Sequence, residues 1–140
     1  MSSMIKPAES GQLDHLTIKG RLPGLNDYIK VERSNRFGAA NMKRQYEQHI
    51  GAFIYMAVDK DELHSHNRPC QLWISWIEPN RRRDLDNISF ATKFIQDAMV
   101  HCGVFPDDNT NYIRVLHHTY HVDPENPRIE ITIKEEKNDQ

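Results

Sequence analysis

The chain has 140 residues, 38% hydrophobic and 27% charged, with a formal net charge of −2. That length supports one core rather than two, and no apolar run approaches the ~20 residues of a membrane-crossing helix. The N-terminus lacks an apolar signal core. Cys70 and Cys102 form no CxxC pair, so the expectation is a cytoplasmic protein with reduced thiols.

In chain order, residues 1–13 mix Ser, Gly, Pro and charge without periodicity and are expected to form a flexible tail. A single domain over 14–135 and a charged tail over 136–140 follow. Leu16-Thr17-Ile18-Lys19 alternates as a strand does, and Leu22 to Asp27 reads as a turn or loop. From about Ala39 a helix is expected, with Met42, Tyr46, Ile50, Phe53, Ile54 and Ala57 on its buried face. Gln71 to Ile77 is an aromatic, β-branched strand closed by Glu78-Pro79-Asn80. Ile88, Ala91, Ile95, Ala98, Met99 and Cys102 then trace one helical stripe ending at Gly103. Two strands, Ile113 to Tyr120 and Arg128 to Lys134, complete the chain around a turn at Asp123 to Pro127. The order β-α-β-α-β-β predicts an α/β (α+β) fold: a mixed sheet with two main helices.

The charge is unevenly placed. Lys19, Arg21, Lys30, Arg33, Arg36, Lys43 and Arg44 face only Asp27 and Glu32 across one early segment. Such a face attracts a polyanion, although a solvated surface explains it nearly as well. Arg81-Arg82-Arg83-Asp84-Leu85-Asp86-Asn87 is more informative. Close carboxylates repel unless a cation lies between them, and hard oxygen ligands select Mg²⁺ or Mn²⁺. On extended backbone Asp84 and Asp86 would point to one side. Asp107 or Asp108 would join them if its loop folds back beside the helix entrance. Such ions activate water and stabilise charge in phosphodiester hydrolysis. The competing reading makes Asp86 or Asn87 a helix N-cap and Asp107-Asp108-Asn109 ordinary turn residues. Arg81 to Arg83 could bind phosphates or merely neutralise Asp84 and Asp86. Lys93, two helical turns after Asp86, could steady the phosphate, or could pair with Asp97 on the surface. His64, His66, His117, His118 and His121 match no standard zinc spacing.

Arg82 to Asn87, Lys93-Phe94-Ile95-Gln96-Asp97-Ala98 and Gly103 to Asp108 resemble, in order and approximate spacing, the signature of the RusA-type Holliday junction resolvases. Gly20 to Asn26 is similar to that family's N-terminal loop. The resemblance implies a small homodimer, encoded in bacteria or their phages, that cuts four-way junctions with Mg²⁺. It implies Asp84, Asp86 and Asp108 as metal-binding catalytic aspartates and Lys93 as the catalytic lysine. Arg83 and Asn87 would flank the site, with Asn26 near it, and Arg81 to Arg83, Asn87 and Asn26 would contact DNA. Two-fold symmetry supports the dimer: a four-way junction needs two matched nicks, and a C2 pair presents two identical sites. Phe90 and Phe94 could serve that interface or fill the core. A branched-DNA binder without cleavage and a Mg²⁺-dependent nucleotide phosphohydrolase are the alternatives.

Overall fold

A computed structural model of the chain describes residues 5–35 and 37–136. The elements are β1 (Leu13–Lys19), α1 (Leu25–Ser34), α2 (Gly38–Asp59), β2 (Cys70–Glu78), α3 (Leu85–Ser89), α4 (Thr92–His101), β3 (Ile113–Val122) and β4 (Arg128–Glu135). They form one small α+β domain around a four-stranded mixed sheet, as expected. Strand order is β1-β4-β2-β3, and only the β2–β3 pair is parallel. That one parallel pair forces the chain from 79 to 112 to return along the whole sheet, which is the work of α3 and α4.

Alternation puts Leu16 and Ile18 of β1, Leu72, Ile74 and Trp76 of β2, and Ile129, Ile131 and Ile133 of β4 in one buried row. Against it pack Ile50, Ile54 and Ala57 of α2 and the stripe Ile88, Ala91, Ile95, Ala98 and Met99. Burying each large aliphatic side chain is worth about 1.5–3 kcal/mol. Phe94 is 2% exposed and Phe90 packs on Tyr28 at 5.2 Å between ring centroids, so these aromatics fill the core rather than an interface.

Three expectations change. The stretch read as a loop after Leu22 becomes α1 from Leu25 onward, a helix that buries no residue fully and packs Tyr28 against the core. The second long helix is interrupted at Phe90–Ala91. There Ala91 bonds Ile88 and Lys93 bonds Phe90, each at 3.2 Å, tightening the backbone to an i→i−3 pattern. The segment expected to be a loose tail is pinned instead: Ser65 N–H donates to Lys6 O at 2.9 Å and Ala8 N–H to Ser65 O at 2.8 Å. Residues 1–4 of that tail, the tail from 137, and Arg36 of the basic segment lie outside the described residues. Among the described residues no helix is long and apolar enough to cross a membrane.

Candidate active site

The arginine–aspartate run begins where β2 ends. Glu78, the last β2 residue, is 3% exposed yet charged, because Arg83 holds it at 2.9 and 3.0 Å and Arg21 at 2.9 Å. Burial alone would raise its carboxyl, but Arg83 and Arg21 outweigh that and keep it below the usual range. Arg83 also donates to Leu22 O at 3.1 Å. It is thus a tie between the strand end and the Arg21–Asn26 arm. A second tie lies alongside: Asn26 N–H donates to Asn87 Oδ1 at 2.9 Å. A Cβ on Gly24 would sit 2.7 Å from that same oxygen and 3.0 Å from the Asn87 carbonyl oxygen, so only glycine fits. Asn26 and Asn87 therefore meet, Asn26 through its backbone.

These ties present Asp84 and Asp86 outward. Asp84 is the N-cap of α3, with φ −75° and ψ 155°, but its carboxylate makes no capping bond. Asp86 lies in the first helical turn, and its Oδ1 accepts the adjacent Asn87 N–H at 3.0 Å. The backbone from Leu85 is helical, so the expected extended arrangement of the pair does not form. Both side chains are exposed, and no arginine pairs with either among the described residues. Arg81 and Arg82 are exposed too, and neither guanidinium is in an ion pair among the described residues. Of the two roles open to the arginines, pairing with Asp84 or Asp86 is not seen among the described residues.

Lys93 is exposed. Its competing partner Asp97 is taken by Lys43 of α2, with the ammonium 3.1 Å from the carboxylate. The break at Phe90–Ala91 removes the simple two-turn argument that aligned Lys93 with Asp86. Asp107 is locked in its turn, with Oδ1 accepting Asp108 N–H at 2.8 Å and Oδ2 accepting Asn109 Nδ2–H at 3.0 Å. The Asp108 carboxylate has no such partner among the described residues and is partly exposed.

The two acidic pairs lie at opposite ends of the sheet. Asp84 and Asp86 follow the Glu78 end of β2, whereas residues 104–112 are fastened at the Cys70 end. His66 N–H donates to Val104 O, and Cys70 N–H to Tyr112 O, both at 2.7 Å. The β2 strand spans about 26 Å at roughly 3.3 Å per residue. Asp108, four residues from both Val104 and Tyr112, can reach about 14 Å from either anchor at most. The topology therefore sets the segment of Asp84 and Asp86 after one end of β2 and the loop of Asp108 at the other.

Sequence reasoning missed a buried polar network at the Cys70 end. Asp14 Oδ1 meets His64 Nδ1 at 2.8 Å, and its Oδ2 meets His66 Nε2 at 2.7 Å. Glu135 meets His66 Nδ1 at 2.8 Å and Arg68 at 2.7 Å, while Asp61 meets His64 Nε2 at 2.9 Å. Burial would lower the His64 pKa, but Asp14 and Asp61 outweigh it and raise the value. His66, Cys70 and Glu135 have ligand-type atoms within 4.8 Å of one another, spacing that could receive an ion. Both His66 ring nitrogens are already occupied, however, and burial pushes the Cys70 thiol up to about 12. These side chains are built as an ion-pair network. The His-x-His spacing was the only sequence signal, and its partners lie 50 and 69 residues away.

The family model described as Endodeoxyribonuclease RusA matches residues 29–134. The chain belongs to the RusA family. It is thus an endodeoxyribonuclease, a Holliday junction resolvase acting by phosphodiester hydrolysis, in a family of metal-dependent nucleases that work on branched DNA. The RusA match spans Asp84, Asp86, Lys93 and Asp108 but begins after Asn26. No curated protein matches the chain.

Proposed function

We propose that this RusA-family chain is a homodimeric, Mg²⁺-dependent enzyme of the bacterial or phage-infected cytoplasm that resolves four-way junctions by paired symmetric nicks. The observation that carries the reading is the entrance to α3: two exposed carboxylates, neither capping nor ion-paired among the described residues, next in sequence to two exposed arginines that are likewise in no ion pair there. Oxygen donors without a protein cation suit a hard divalent ion, so Asp84 and Asp86, with Asp108, would hold Mg²⁺, and Mn²⁺ would substitute. When bound, the ion activates water and stabilises charge on the phosphate. Arg81 and Arg82 bind the DNA backbone. Lys93 offsets charge developing on the phosphate. Arg83, Asn87 and Asn26 support them by fixing the arm to the strand end.

Synthetic four-way junction incubated with Mg²⁺ tests this beside an Asp84→Asn variant. Paired nicks that disappear in the variant support the assignment. Junction binding without nicking by the unaltered protein points to a non-cleaving binder, and turnover of free nucleotides to a phosphohydrolase.

A further inference from the structure

Among the large apolar side chains of the described residues, Phe37 is the most exposed, at 70%. A single exposed apolar residue is ordinary on a protein surface, but this ring is held out by a built turn. Asn35 Oδ1 accepts the Phe37 N–H at 2.9 Å, and Asn35 O accepts the Gly38 N–H at 3.0 Å. Phe37 O in turn accepts the Asn41 N–H of α2 at 3.1 Å. A Cβ on Gly38 would lie 2.8 Å from Val31 Cγ1 and 3.2 Å from Asn35 Cβ, so the turn between α1 and α2 closes as tightly as glycine allows. The Phe37 backbone is thus fixed between two helices while its ring faces solvent.

The surroundings favour a polyanion. On α1, Asn26, Ile29, Lys30, Arg33 and Ser34 line one open hollow, and the α1 acids Asp27 and Glu32 stand outside its lining. Lys30, Arg33 and, on α2, Arg44 are exposed and in no ion pair among the described residues. The hollow starts at Asn26, which is tied to Asn87 at the α3 entrance, and ends at Ser34, three residues before Phe37. At 1.5 Å per residue, the ten residues of α1 set the turn about 15 Å from that entrance. A phosphate backbone can follow this track and carry a base to the ring at its far end.

We propose that Phe37 selects for branched DNA by stacking on a base that has lost its stacking neighbour where the arms part. In a continuous duplex every base is stacked on both sides, and the ring gains nothing. At a branch point one face of a base is open, and an aromatic side chain can cover it. Lys30, Arg33 and Arg44 then serve any DNA, and Phe37 tells a junction from a duplex. This inference rests on the junction reading above.

Binding to a synthetic four-way junction and to a linear duplex of the same arm sequence, measured in chelator so that no nicking occurs, tests it with Phe37→Ala and Phe37→Trp. Phe37→Ala should weaken junction binding about tenfold, the scale of one lost base–aromatic stack. Its duplex binding and thermal midpoint should stay unchanged, and Phe37→Trp should restore the junction affinity. An equal loss on both DNAs, or a junction preference that survives Phe37→Ala, overturns the inference. So does a change of oligomeric state in Phe37→Ala, which would place the ring against protein instead of a base. If the unaltered protein itself shows no preference for the junction, the junction reading falls and this inference with it. Loss of nicking in Asp84→Asn concerns the metal alone and is read separately.

Discussion

Asp84, Asp86 and Asp108 stand at the surface without an ion pair among the described residues, whereas Asp14 and Glu135 are fully enclosed and bonded to His64, His66 and Arg68. An enclosed carboxylate survives only with its charge matched, so its partners are part of the fold. An exposed carboxylate costs little when left alone, and is free to take a ligand from solution. Partner count thus separates the acids that build this molecule from those that equip it.

Substitutions can break that separation. Asp86→Asn should lower junction nicking by at least about a thousandfold, the scale of lost metal or transition-state charge stabilisation. Its thermal midpoint should hardly move, since exposed substitutions usually fall within about 0.5 kcal/mol. Asp14→Ala should do the reverse. Leaving His64 and His66 without their shared anion should cost about 3–5 kcal/mol by urea titration, with the nicking rate per folded molecule retained. A destabilised Asp86→Asn, or an unshifted Asp14→Ala, would erase the distinction.

The arginines sharpen it on a smaller scale. Arg83→Ala should lose about 2–3 kcal/mol of stability because it strands the buried Glu78. Arg82→Ala should keep its stability and reduce the salt slope of junction binding by about one. Equal stability in the two variants would place Arg83 with the DNA-binding side chains after all.

The pH dependence should be the mildest effect. His64 binds its proton more tightly folded than unfolded, so its contribution is complete below 6.5 and fades as pH rises through the raised folded value. Asp14 and Glu78 are shifted down, so theirs is present above 3.8 and 4.5 and is lost as pH falls through the lowered values. For Asp14, burial opposes the shift and the bonds to His66 and His64 overcome it. Urea midpoints across pH 2 to 9 should therefore be highest between 4.5 and 6.5. His64→Gln should flatten the alkaline side, and an unchanged alkaline slope would remove His64 from the account.

What the sequence disclosed followed its periodicities. β2, β4 and α2 were legible from alternation and from the Ile50–Ile54–Ala57 stripe, and Asp84-Leu85-Asp86-Asn87 from the rarity of such packed acid. α1 was not, because Pro23-Gly24 and Asn26-Asp27 carry turn chemistry and the helix has no buried residue to mark a face. The interruption at Phe90–Ala91 was hidden because Ile88, Ala91 and Ile95 stay on the core side through it. The roles of Glu78 and Asp14 depend on partners brought by tertiary folding, which local pattern does not encode. The parallel pairing of β2 with β3 is likewise a tertiary fact, and it is what separates Asp84 from Asp108.

The Phe90–Ala91 interruption also works as a slack joint. Ahead of it, α3 is secured through Asn87, and beyond it α4 is secured through the Lys43–Asp97 pair and Phe94. The i→i−3 bonds at the joint let α3 and α4 each keep their own moorings while both turn their apolar residues to the core.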